Sequence, residues 1–250
     1  MTIAAEFLRA ALVDRTHALA ELVRETDPAT PIPTCPGWTL SDLVTHVGRA
    51  QRWAAAMIAA RSATELDIRA VPDGARPAPG AAAGWLEAGP ARVLDAIDAA
   101  GAETEVWITL GAPRPARWWL RRLAHEATVH GADALLAVHR PAEIEPELAA
   151  DAIEEWLELL AAGLGNRGEA VLPDGASLHL HATDHERGEW AIRPVGSSIT
   201  WEHTHIRATV AVRAPAAQLL LAMLGRIPPS APEVYGEAAL LERWLRRTRF

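Results

Sequence analysis

The spacing of apolar residues changes period at about residue 166, and this change restricts the fold more than any other feature of the chain. Before it, apolar positions recur every three to four residues, as in helices that bury one stripe. After it, the runs SLHLHATD, GEWAIRPV, SITWEHTH and IRATVAVRA are alternating or β-branched and are separated by turn residues, as in short strands. Helices segregated from strands predict an α+β chain in two parts: a helical bundle over 1–145, then a linking helix and a smaller α+β domain with an antiparallel sheet over 146–250.

Four amphipathic helices are expected in the first part. The first covers Ala5 to Arg24, with Phe7, Leu8, Ala11, Leu12, Leu19, Leu22 and Val23 on one stripe. The second starts after the breaker Pro36-Gly37, where Thr39 and Asp42 have capping-box spacing and Trp38 and Leu43 have hydrophobic-staple spacing. Helices three and four are expected over Trp85 to Ala99 and Pro115 to Val138, after long loops that suit a bundle with a crossover. A fifth, linking helix follows over Glu147 to Leu164, and two short ones over Pro215 to Leu224 and Glu237 to Arg247 belong to the second part.

Two helices carry the residues that suggest chemistry. Glu126 and His130 are four apart in HEATVH and share a stripe with Leu123, Ala127, Ala134 and Ala137, so a carboxylate and an imidazole should face apolar surroundings. A buried carboxylate needs a compensating cation. His46 lies on the stripe of Leu43, Ala50, Trp53 and Met57 and should also point inward. Two histidines and one glutamate would leave a coordination position open on a divalent metal, zinc being expected first. The alternative is a plain polar couple beside an ordinary core histidine. The spacing is not that of zincins, because position 129 is valine. His125 points about 100° from Glu126, toward a supporting role or solvent.

Composition excludes several classes. A net charge of -8 supplies no basic face for nucleic acid, no apolar run reaches the 18 to 20 residues of a membrane span, and the single cysteine, Cys35, permits neither a disulfide framework nor a thiolate cage. The expectation is a cytoplasmic protein, monomer or homodimer, whose partners are small molecules. Cys35 is read as a loop residue. In the second part, His179 and His181 on one run and His203 and His205 on another form same-face pairs that could assemble a metal site; lacking a carboxylate at matching register, they are read as a polar sheet face.

The stretch PIPTCPGWTLSDLVTHVGRAQRWAAAM, followed by RRLAHEATVHGADALLA, resembles the mycothiol-dependent maleylpyruvate isomerase family, whose N-terminal domain is a DinB-like metal-binding four-helix bundle. The ending, from LHLHATD through VRAPAAQLLLAMLGR to LERWL, is similar to that family's C-terminal domain. The resemblance implies His46, Glu126 and His130 as metal ligands and mycothiol as thiol cosubstrate. It also implies a small organic electrophile as substrate, either isomerised from cis to trans or joined to the thiol by an S-transferase reaction. A non-catalytic metal-binding module is the reading from another class. Carboxylates on either substrate call for arginines: Arg49, Arg52 and Trp53 are candidates for binding the thiol, Arg226 for catalysis, and Arg122 and Arg213 are further cations within reach. Trp118 and Trp119 are candidate pocket walls, with plain core the alternative.

Overall fold

The computed structural model describes residues 3–164 and 170–248, so the expected change of period at about residue 166 lies outside the described residues. The chain divides into two compact units, 1–142 and 143–250.

In the first unit, α1 (Ala5–Glu25), α2 (Leu40–Ala59), α3 (Ala82–Ala100) and α4 (Arg117–Ala137) form a four-helix bundle in which α1 packs on α3 and α4, and α2 packs on the same two. Each helix buries a stripe; Leu12, Leu19, Leu43, Met57, Ile58, Leu86 and Leu123 are among the most enclosed side chains. Two helices meet without a spacer at Gly48 and Gly89. A Cβ at Gly48 would lie 2.1 Å from the Trp85 ring, and one at Gly89 would lie 1.8 Å from Gln51 Oε1, so α2 and α3 approach as closely as they do because both positions lack side chains.

The start of α2 is fixed locally. Gly37 adopts φ +84°, which the turn after Pro36 requires. Thr39 Oγ1 then accepts from the Asp42 backbone N–H while Asp42 Oδ2 accepts from the Thr39 N–H at 2.9 Å, completing the capping box. Trp38 packs on the cluster that contains Leu43.

Both long connections carry more structure than expected. Before α3 lie 3-10 turns at Ile68–Ala70 and Pro79–Ala81, and Asp73 between them bonds Arg52 and Arg92. Before α4, a short antiparallel pair joins β1 (Glu105–Val106) to β2 (Arg114–Pro115), so the helix starts at Arg117 and not at Pro115.

The second unit opens with α5 (Pro146–Ala161). Its sheet has the order β5-β4-β3-β6-β7, from β3 (Leu178–Ala182), β4 (Glu189–Val195), β5 (Ser198–Glu202), β6 (Val210–Ala214) and β7 (Glu233–Gly236). Three of the four pairings are antiparallel; β3 and β6 run parallel, because the chain returns past the β3–β4–β5 meander to lie on the far side of β3. Helices α6 (Ala216–Met223) and α7 (Ala238–Arg247) complete the unit, and Asp184 Oδ1 accepts the first N–H of α6 at 2.8 Å.

Candidate metal centre

Packing of α2 against α4 brings His46, Glu126 and His130 together. Glu126 Oε2 lies 3.2 Å from His46 Nε2 and 3.1 Å from His130 Nε2, and one ligand atom from each residue falls within 4.8 Å of the other two. The imidazoles of His46 and His130 meet edge to face at 4.9 Å, with Trp38 over both at 5.1 and 6.0 Å. Glu126 and His130 are nearly enclosed. His46 departs from the expected inward orientation: its side chain is 41% exposed, so it stands at the rim where the cluster opens to solvent.

Around this triad stand groups that hold it. Asp133, fully buried one turn beyond His130, accepts from His130 Nδ1 at 2.9 Å and from Cys35 Sγ at 3.5 Å. Arg122, one turn before Glu126, donates to the other carboxylate oxygen, Oε1. Burial alone would raise the Glu126 carboxyl, but the Arg122 guanidinium and the two imidazoles hold it well below the usual carboxylate range. Burial would likewise lower His130, yet bonds to Asp133, Cys35 and Glu126 raise it well above the usual imidazole range. A carboxylate stands at each ring nitrogen, Asp133 at Nδ1 and Glu126 at Nε2; a metal at Nε2 would take the place of the proton there.

This donor set fits a divalent metal. Two imidazole nitrogens and a carboxylate oxygen face one another, Asp133 fixes the Nδ1–H tautomer of His130 so that Nε2 becomes the available lone pair, and the exposed side at His46 leaves access for a further ligand. Asp133 was not among the expected site residues; its one signal in the sequence is its position three after His130 on the same helix face.

The other expected residues have different surroundings. Arg49 Nε donates to Gly74 O at 2.8 Å. Arg52 is buried, stacks 4.0 Å over Trp85 and bonds Asp73, Gly48 O and Trp85 O through all three guanidinium nitrogens. Trp53 donates to Leu66 O and packs on Trp107 and Trp119, while Trp118 packs on Trp119. None of the three thiol-binding candidates is bonded to the triad in the contacts described. Arg226 belongs to the second unit, where Nη1 donates to Leu224 O, and Arg213 pairs there with Glu233. His125 is buried and not solvent-facing, because α4 is covered by α1 as well as by α2.

The fold and the triad define a class: a four-helix bundle with a two-histidine, one-glutamate centre suited to a metal, followed by a small α+β domain. Residues 9–135 match the family model of the mycothiol maleylpyruvate isomerase N-terminal domain, and residues 147–243 match that of the MDMPI C-terminal domain. The chain belongs to the mycothiol maleylpyruvate isomerase family. Among solved structures it resembles the mycothiol-dependent maleylpyruvate isomerase and a point mutant of that enzyme, each with a TM-score of 0.61 and 19% identity over 95% of this chain and 98% of the other. No curated protein matches. No helix among the described residues is long and apolar enough to cross a membrane.

Proposed function

We propose that this protein is a mycothiol-dependent metalloenzyme of the maleylpyruvate isomerase type, with His46, Glu126 and His130 holding a divalent metal, zinc first among the candidates. The observation that carries the reading is the convergence of three donors on one open-sided point, with Asp133 fixing the tautomer of His130. Family membership over both parts of the chain supports mycothiol as the thiol.

When bound, the metal supplies a Lewis acid that keeps a thiol in its thiolate form near neutral pH. The chain's residues do the rest. Glu126 offers one oxygen to the centre while Arg122 holds the other, so the carboxylate cannot swing away. Trp38 packs against both imidazoles, and the exposed edge of His46 leaves access for the thiol and its partner. A thiolate there adds to one carbon of a conjugated cis double bond and the electron pair moves onto the adjoining carbonyl. The bond left single rotates, and the electrons return to expel the thiolate and leave the trans isomer. The S–C bond that forms is the bond that breaks, so the thiol is regenerated and no oxidant is consumed.

The test is to incubate metal-loaded protein with mycothiol and maleylpyruvate and to follow isomeric products and thioethers by mass spectrometry. Trans product at constant thiol supports the isomerase. A stable thioether that consumes thiol would replace it with the S-transferase, and no mycothiol binding by fully metal-loaded protein would favour the non-catalytic module.

A further inference from the structure

A second cluster of metal-ligating side chains lies in the sheet of the second unit. His179 and His181 occupy the same face of β3, and the antiparallel register sets Glu189, the first residue of β4, opposite His181. The carboxylate whose absence argued for a polar sheet face is therefore present; it comes from the neighbouring strand of the hairpin. His205, in the loop after β5, folds back onto it, with Nδ1 3.0 Å from Glu189 Oε1, and His181 Nδ1 lies 3.5 Å from the same oxygen. The three imidazoles surround that carboxylate with ring centroids 5.0 to 6.1 Å apart.

Ligand atoms of His179, Glu189 and His205 all lie within 4.8 Å of one another. His179 is 2% exposed, and its Nε2 is buried without a hydrogen-bond partner among the described residues. A buried imidazole nitrogen without a partner is disfavoured and points to a ligand that supplies one. His203 stands apart: it bonds the Glu189 carbonyl and the carboxylate of Glu154, which also accepts from the indoles of Trp190 and Trp201.

We infer that His179, Glu189 and His205, flanked by His181, form a second site for a divalent first-row transition metal, separate from the helical centre. Imidazole and carboxylate donors select zinc, cobalt, nickel or copper over calcium and magnesium. Occupancy ties the exposed loop that carries His205 to the β3–β4 hairpin.

The full chain, stripped of metal and dialysed against Zn2+ and in parallel against Co2+, tests this. Metal per chain is measured in the wild type, His130→Ala, His205→Ala, Glu189→Gln, the control His203→Ala and the His130→Ala/His205→Ala double variant. His205 is on an exposed loop, so its substitution leaves the fold in place, which circular dichroism checks. The expected result is two equivalents in the wild type, one in each single variant and none in the double, with His203→Ala unchanged at two. Failure of the helical site alone leaves His205→Ala without metal and His130→Ala with one equivalent. Equal metal in the wild type and His205→Ala, or none in His130→Ala, overturns the inference.

Discussion

Asp133 Oδ2 lies 2.9 Å from His130 Nδ1, and through this bond a fully buried carboxylate decides which ring nitrogen of His130 faces Glu126. Both residues are on α4, three apart, so the helix itself sets the bond's geometry. Replacing Asp133 with Asn keeps the shape but removes the charge that makes the imidazole a stronger donor to a metal. Zinc affinity of Asp133→Asn, read by competition with a chelator, is expected to fall by about 10- to 100-fold. Unchanged affinity would mean that Asp133 serves only the packing of α4.

Close approach of α2 to α3 at Gly48 gives a second prediction. In Gly48→Ala the new methyl has to displace the Trp85 ring, which is held by Arg52 stacked on its face and by a bond from its Nε1 to Asp73 O. Overpacking of this kind costs about 1–3 kcal/mol in urea-unfolding stability. Gly84→Ala, in the first turn of α3 with nothing within 4 Å of the added Cβ, is the control and should stabilise by about 0.5–1 kcal/mol. Equal losses in both would remove the steric explanation.

At the start of α2, hydrogen bonds from Thr39, together with Arg76 nearby, lower the Asp42 carboxyl to about 2. Its folded value lies below its unfolded one, so the contribution of the capping box is present above pH about 4 and is lost as pH falls through about 2. Thr39→Ala should cost about 0.5–2 kcal/mol at pH 7. The gap to wild type, followed by urea unfolding from pH 6 downward, should narrow below pH 4. A gap that stays constant to pH 2.5 would show that Asp42 takes no part in it.

Much of this arrangement could be read from residue order because its causes are local. The Pro36-Gly37 turn, the Thr39/Asp42 pair and the four-residue spacing of Glu126 and His130 all act within one or two helical turns, and the structure has the turn, the cap and the shared helix face. What escaped was set by distant partners. Asp133 reads as one more polar helix residue until Cys35 is folded against it. Glu189 could not be aligned with His181 because the register of β3 with β4 depends on the turn between them, which alternation alone does not specify. The parallel pairing of β3 with β6 likewise depends on where the chain returns after β5. The pair β1–β2 is two residues long on each side, too short to show any period.

The contrast between Glu126 and His46 separates a structural role from a ligand role. Without metal, Glu126 is the nearly enclosed hub that Arg122, His46 and His130 all bond, so Glu126→Gln removes the carboxylate that faces the Arg122 guanidinium and the Nε2 side of His130, which keeps Asp133 at Nδ1. Breaking such a buried network by removing one partner costs about 3–5 kcal/mol, and the loss should appear in chelator-treated protein. His46 is 41% exposed and bonds only Glu126 among the contacts described, so His46→Ala should change the stability of chelator-treated protein by no more than about 0.5 kcal/mol. In a His205→Ala background, which removes the second site, added zinc should then stabilise the parent in proportion to the logarithm of its concentration and leave the chain that also carries His46→Ala at its metal-free value. Were His46→Ala to gain as much from zinc as its His205→Ala parent, the rim histidine would not be a ligand, and the centre would have to be rebuilt from Cys35, His130 and Asp133, whose donor atoms also lie within 4.8 Å of one another.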